Sequence, residues 1–480
     1  MTARNQLILM SDEHARSVTG CYGNPIVQTP HLDALASRGT RFANAYTPSP
    51  ICVPARAAIA TGLPIHLTGH WDNAHPYEGT PKSWAHILRD AGRDVVSIGK
   101  LHYRDAQMDT GFTEQILPMH VEDGRGDIAG SIRAPLPVRH QSRRLADNLG
   151  PGESSYTRYD RAVRDAASNW LQQAGATGKE GWTLLVSFVA PHFPLVAPQA
   201  FYDLYGDVDL APNRPAPDET ADHPWLKALR GSYVYDNFTD AKRREALRNY
   251  YGLVSFLDDN IGEVLGALDT SGAASSTDII YLSDHGDNLG ERGMWGKSTF
   301  FEESAGVPLI YAPIKRGEMH EICQTPVSLT DLYPTALGVL AKSEGGFGRS
   351  GRQLADLALS ASDPDRPILA QYHAAGSPSG AFMVRRGRFK YCYYVGYEPQ
   401  LFDLEADPNE RQDLAASGKH DAKLFDLHTD LCRLLGQRPE SVDARAKVDQ
   451  GNLISRYGGP AKVLSGPTLT ATSTPIDGAS

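Results

Sequence analysis

Short apolar runs rich in strand-forming residues alternate along this chain with helical patterns, and each clear run ends in polar residues. Residues 6–10, 94–98, 183–189 and 278–282 read as strands of a mainly parallel sheet. Such a sheet is covered by helices on both faces, so its strands read as nearly continuous apolar runs. Helices are predicted over 31–38, closed by Gly39, and over 83–91, closed by Gly92. A longer one is predicted over 241–268, where Tyr250, Val254, Leu257, Ile261 and Leu265 recur at helical spacing. Parallel strands end on one edge, where open α/β sheets bind ligands. Asp12 and Glu13 follow the first strand, Lys100 and His102 the second, His192 the third, and Asp284 with His285 the fourth. Residues far apart in sequence are therefore expected to meet at that edge.

The run Cys52-Val53-Pro54-Ala55-Arg56 leads into an alanine-rich stretch ending at Thr61-Gly62. Proline suits a first helical turn, alanine propagates the helix, and glycine ends it. Cys52 then stands just before a helix N-terminus, where amide groups and the macrodipole favour negative charge. A thiol so placed is expected to be acidified and reactive, with Arg56 adding a fixed cation. The alternative is a buried, inert cysteine at a helix start.

The strand-end residues make a coherent chemistry. Asp12, Asp284 and His285 can ligate a divalent cation. Carboxylates favour Ca²⁺ or Mg²⁺, and the imidazole pulls toward Mn²⁺. Arg56, Lys100 and Lys297 can neutralise a sulfate or phosphate group. His102 and His192 can move protons near neutral pH. His70 and Asn73, shortly after the cysteine helix, are candidates for the substrate pocket, as are the long loops over 119–151 and 202–238.

The 480 residues exceed one simple core. No run of 18 apolar residues exists, and the first ten residues hold too short an apolar stretch for a secretory signal. The five cysteines are scattered and odd in number, which fits a reducing cytoplasm. A formal charge of −10 disfavours nucleic acid and anionic membrane as partners, so positive charge for an anionic substrate must be local. From about residue 366 the pattern changes to strand pairs over 381–386 and 388–395, a third strand near 401–404 and a helix over 420–435. Residues 1–365 thus read as a catalytic domain, 366–440 as a small α+β domain, and 441–480 as a polar, loosely ordered tail. The small domain and tail, with Tyr391, Tyr393, Tyr394 and Tyr397, are expected to complete the pocket or join subunits of a homo-oligomer.

The motif Cys52-x-Pro54-x-Arg56 followed by Thr61-Gly62 resembles the signature of type I sulfatases. Gly99-Lys100-Leu101-His102 is similar to the family's Gly-Lys-x-His element. Asp284-His285-Gly286-Asp287 with Leu289-Gly290 and Lys297 resembles its second signature region. Thr29-Pro30-His31-Leu32-Asp33, Val307-Pro308-Leu309, Asp331-Leu332-Tyr333-Pro334-Thr335 and the segment from Leu401 to Pro408 resemble further family segments. The resemblance implies an alkaline-phosphatase-like α/β fold: a mostly parallel sheet flanked by helices, with a smaller C-terminal α+β domain. It also implies that a maturation enzyme oxidises Cys52 to formylglycine, whose hydrate is the nucleophile, beside a divalent metal, calcium first among the candidates. Asp12, Cys52, Asp284 and His285 would hold the metal. Lys100, Lys297 and His192 would hold the substrate's oxygens, and His102 would take a proton. Glu13 stands where many sulfatases have a second aspartate, which leaves it either a ligand or just outside the ligand set. Asp284-His285 resembles the branch with choline sulfatases and phosphonate monoester hydrolases. Sulfate monoester hydrolysis is the first reading, phosphonate monoester or phosphodiester hydrolysis the second, and a non-catalytic anion- or metal-binding protein the third.

Overall fold

The computed structural model describes residues 4–206, 208–210, 223–340, 349, 351–466 and 474–476. Its large sheet contains β1 (Asn5–Asp12), β2 (Thr40–Phe42), β3 (Asp94–Lys100), β4 (Glu114–Met119), β5 (Trp182–Pro191), β6 (Thr277–Ser283), β7 (Leu309–Ala312) and β8 (Ile322–Cys323). The strand order is β8-β2-β7-β6-β1-β5-β3-β4. β1 pairs in parallel with both β5 and β6, and β3 with both β5 and β4. Only β7 runs against its neighbours, β6 and β2. The four predicted strands thus form the sheet's centre.

Both faces are buried, as the apolar runs require. Leu7, Leu9, Val96, Ile98, Leu184 and Val186 pack on one face, while Ile8, Met10, Val95, Leu185, Ile280 and Leu282 pack on the other. The first face is covered by α1 (Pro30–Arg38), α4 (Ser155–Ala176) and α5 (Asp240–Thr270), the second by α2 (Cys52–Thr61) and α3 (Trp84–Asp90). Each fully buried aliphatic side chain contributes about 1.5–3 kcal/mol. α4 begins with a reciprocal cap in which Ser154 Oγ accepts from Thr157 N at 3.1 Å and Thr157 Oγ1 accepts from Ser154 N at 2.9 Å.

The small sheet follows, as β9 (Ile368–Tyr372), β10 (Ala381–Arg386), β11 (Phe389–Tyr394) and β12 (Gln400–Asp403), antiparallel throughout. One face joins Tyr46, Trp225, Phe300 and Phe301 through Met383, Cys392, Tyr394 and Phe402. The other joins α6 (Asp421–Leu435) and Ala58 of α2 through Phe382, Val384, Tyr391 and Leu401.

Two expectations are corrected here. Strands β1, β3 and β5 run on through Asp12, Lys100 and Pro191, because the polar residues at their ends are buried and paired with opposite charge rather than solvated. Residues 441–456, expected within a loose tail, form most of α7 (Pro439–Arg456). Val442 and Ala446 pack against the small sheet's core, and buried Asp443 and Gln450 bond Arg133. A short α8 (Pro460–Ser465) follows. Of the expected loop over 202–238, residues 207 and 211–222 lie outside the described residues; so do 467–473 and 477–480 of the expected tail.

Candidate active site

The C-terminal edge of the central strands meets the first turn of α2. α2 follows Ile51 in extended backbone, and its Val53 N–H donates to Asn73 Oδ1 at 3.2 Å. At its far end the Gly62 amide bonds Ala58 O, with Gly62 at φ 66°. This geometry sets the sulfur of Cys52 between the ends of β1 and β6 and the loop that carries Lys297. Sγ lies 3.7 Å from Asp12 Oδ1, 3.1 Å from His285 Nε2 and 3.2 Å from Lys297 Nζ.

Arg56, one turn along α2, is the hub beneath the sulfur. Its Nε donates to Asp284 Oδ2 at 2.7 Å and its Nη2 to Asp12 Oδ2 at 3.0 Å. Its Nη1 donates to Lys100 O at 2.7 Å and to Ser187 Oγ at 3.0 Å. The guanidinium therefore ties α2 to β1, β3, β5 and the turn after β6. Lys100 Nζ adds a second contact to Asp12 Oδ2 at 2.8 Å. Gly99 precedes it at φ 101°, and a Cβ there would lie 2.2 Å from Ser187 O, so only glycine lets β3 and β5 close at this point.

Glu13 and His102 carry backbone strain, with φ of 69° and 58° in the left-handed region. Glu13 Oε2 accepts from Lys297 Nζ at 3.1 Å and lies 3.4 Å from His192 Nε2, while its Oε1 is buried without a partner. His102 Nδ1 is also buried without a partner. His285 Nδ1 lies 3.0 Å from Gly286 O and His192 Nδ1 2.7 Å from Phe193 O. A carbonyl can only accept, so each Nδ1 carries the proton and each Nε2 presents a lone pair toward the carboxylates.

Burial and local charge set the protonation of these groups. Burial alone would raise the Asp12 carboxyl, but Lys100, His192 and Arg56 outweigh it and hold it well below its usual range. Burial pushes Glu13 up to about 8, with the single cation Lys297 opposing. Burial also pushes the Cys52 thiol up to about 11, with Asp12 adding to it. The expected acidification by the helix terminus is thus reversed: desolvation and a facing carboxylate exceed the dipole's effect. His102 and His192 are held well below their usual range by burial, and then by Lys100 and Lys297 respectively.

Two sets of donor atoms converge, Asp12 with Cys52, Asp284 and His285, and Asp12 with Glu13 and His192; within each set the atoms lie within 4.8 Å of one another. Glu13 belongs to the second set only. A cleft of about 840 Å³ opens over them, lined by Cys52, Glu13, Asn73, Lys100, His102, His192 and Lys297. His70 is not there. It lines a separate cavity, with Ala74 and His75. The outer walls include Arg139 and Tyr235, from the expected loops over 119–151 and 202–238, and Leu464, from the region expected to complete the pocket; sequence reasoning did not single out Tyr156 or Trp295, which also line it.

A sequence profile of the sulfatase family matches residues 4–342. The choline-sulfatase of Rhizobium meliloti (strain 1021) is 33% identical over 423 residues, covering 86% of this chain and 82% of that protein. Arylsulfatase K of Danio rerio is 28% identical over 437 residues, covering 86% and 80%. Among solved structures, the phosphonate monoester hydrolase of Agrobacterium radiobacter superposes with a TM-score of 0.72 at 23% identity, covering 90% of this chain and 95% of that one. The shared architecture is alkaline-phosphatase-like. The chain belongs to the sulfatase family, and it is a sulfuric ester hydrolase.

Proposed function

We propose that this enzyme cleaves sulfate monoesters of small alcohols, using formylglycine formed from Cys52 beside one divalent cation. The observation that carries the reading is the meeting of Cys52 with Asp12, Asp284 and His285 at the floor of a cleft walled by Lys100, His102, His192 and Lys297. The donor set fits a hard cation. Its oxygens come from buried carboxylates, and the lone pair of His285 Nε2 is free because Nδ1 is engaged. Ca²⁺ suits such a set best, with Mn²⁺ and Mg²⁺ as alternatives. When bound, the cation supplies Lewis-acid stabilisation of negative charge, and the hydrated aldehyde at position 52 supplies the attacking hydroxyl.

The chain's own residues do the rest. Arg56 fixes Asp12 and Asp284 relative to the first turn of α2. Lys100 and Lys297 present ammonium groups to the sulfate oxygens and offset their charge. Lys297 through Nζ, or His192 through Nε2 once that nitrogen has taken up a proton, passes a proton to the leaving oxygen. His102 takes a proton from the oxygen at position 52. Asn73 holds the helix start and faces the ester. Turning the Cys52 thiol into an aldehyde is a net oxidation in which sulfur leaves and oxygen is gained, and a maturation enzyme supplies the oxidant for it in this reading.

The same tetrahedral-anion site suits phosphonate monoesters and phosphodiesters, which is the second reading. A panel of chromogenic sulfate, phosphonate and phosphate esters tests both. The highest kcat/KM is expected on a sulfate monoester, and a higher value on a phosphonate monoester overturns the first reading in favour of the second. Binding without turnover is disfavoured by two imidazoles placed at a site where binding alone needs none.

A further inference from the structure

We infer that the cavity between the loop after α2 and helix α7 is a second binding site, and that it takes an acidic saccharide unit. The cavity measures about 660 Å³, within the size range of small-molecule sites. His70, His75, Arg104, Arg125, Asp449 and Arg456 line it. Arg104 is matched by Glu78 at 2.9 Å. Arg125 and Arg456 form no ion pair among the described residues; the Arg125 guanidinium lies over the Tyr457 ring, 5.6 Å from its centre. Two guanidinium groups without an ion-pair partner in the lining of one cavity suit a carboxylate or sulfate.

The same lining also calls for a donor. His70 is 7% exposed, and its Nδ1 donates to His75 O at 2.9 Å. Its Nε2 therefore carries a lone pair, and that atom is buried with no partner. Burial keeps the ring neutral, its pKa pushed down to about 4. A hydroxyl satisfies this acceptor, and a bare inorganic anion does not. Asp449, which accepts from Trp71 Nε1 at 2.8 Å, is a second acceptor in the same wall. Anion receptors and hydroxyl acceptors in one polar cavity match a sugar that bears an acidic group.

This site is distinct from the catalytic cleft but shares a wall with it. Asn73 and Gly126 face the cleft, whereas Ala74 and Gly124 face this cavity. The wall is two strands of backbone in close contact, for a Cβ at Gly126 would lie 1.8 Å from Asn73 O.

Calorimetry on the full chain with D-glucuronate as probe and D-glucose as its neutral counterpart tests the site. Glucuronate is expected to bind, with glucose weaker by roughly tenfold or more. The exposed pair Arg125→Ala/Arg456→Ala should weaken glucuronate by a similar factor while turnover of a small aryl sulfate is unchanged. Crystals soaked with glucuronate should show it between His70 and Arg456. The inference is overturned by absence of binding, by equal affinity for glucose, by unchanged affinity in the double variant, or by glucuronate acting solely as a competitive inhibitor of turnover. None of these outcomes bears on which ester the catalytic cleft cleaves.

Discussion

Two glutamates, Glu13, fully buried, and Glu302, whose side chain is 17% exposed, have opposite fates. Burial raises both, yet Glu302 is pushed down to about 2 by Lys390 and Arg16, while Glu13 is pushed up to about 8 against Lys297 and the weaker effect of His285. Their surroundings explain it. Around Glu302, at the junction of the large and small sheets, Lys390 Nζ lies 2.6 Å from Glu302 Oε1 and 2.7 Å from Glu410 Oε1, and donates to Phe300 O at 2.7 Å. Arg16 pairs with Glu302, and Arg292 with Glu303 at 3.1 Å. Three cations meet three carboxylates, so charge is matched within the protein, with Glu410 raised to about 7 by burial. Around Cys52, the carboxylates Asp12, Glu13, Asp284 and Asp287 meet the cations Arg56, Lys100 and Lys297, and polar atoms of Glu13 and His102 have no partner. One cluster joins the large and small sheets with its charges matched; the other has four carboxylates to three cations, the excess of acid that a site for a divalent cation requires.

The contrast breaks most sharply at its extremes. Asp284→Asn should reduce turnover by roughly 10³-fold or more while leaving the melting temperature nearly unchanged, because it removes a metal donor from a cluster already rich in acid. Steady-state kinetics, metal analysis and calorimetry check this; retained metal and rate would move the metal elsewhere. Lys390→Met should do the reverse, losing about 3–5 kcal/mol of stability by stranding Glu302 and Glu410, with kcat per folded molecule preserved. Denaturant titration reads the loss. Next in size, His192→Ala should slow esters of poor leaving groups by about 10²-fold and activated aryl esters far less. A uniform loss across leaving groups would assign the proton to Lys297.

The smallest effect concerns Asp72, a buried carboxylate that is complete like Glu302. Burial would raise it, but His75, Ser131 and Gln450 push it down to about 2. Its stabilisation is present above the unfolded carboxyl value near 4 and is lost as pH falls toward 2. His75 opposes burial by pairing with Asp72 and is raised, so its share is present below its unfolded value near 6.5 and is lost as pH rises through the folded one. Asp72→Asn should therefore cost about 2 kcal/mol, with the largest difference between about pH 4 and 6.5. A pH series of thermal melts measures it.

The parallel centre of the sheet was legible because apolar runs buried on both faces leave a strong signal; Asp12, Lys100, His192 and Asp284 stood out because they end or follow such runs, and Cys52 because it opens an alanine-rich helix. Helix α4 was missed although Ser154 and Thr157 cap it and Tyr159, Val163, Ala167 and Leu171 lie on its buried face; its many charged residues masked the stripe. Helix α7 was misread as tail because its anchors include the polar pair Asp443 and Gln450, which hydropathy does not register. His70 was placed in the wrong cavity. Nearness in sequence to Cys52 does not tell which side of the Asn73–Ala74 backbone a side chain faces. Glu13's protonation was beyond sequence, since it depends on how many cations the fold brings within reach.

The central claim is that Cys52 acts only after oxidation. Preparations with graded co-expression of a maturation enzyme can be compared by peptide mass spectrometry at residue 52 and by kcat on the best sulfate ester. The account predicts that kcat rises in proportion to the aldehyde fraction and extrapolates to zero for the thiol. Full turnover by protein whose Cys52 is wholly unconverted would contradict it.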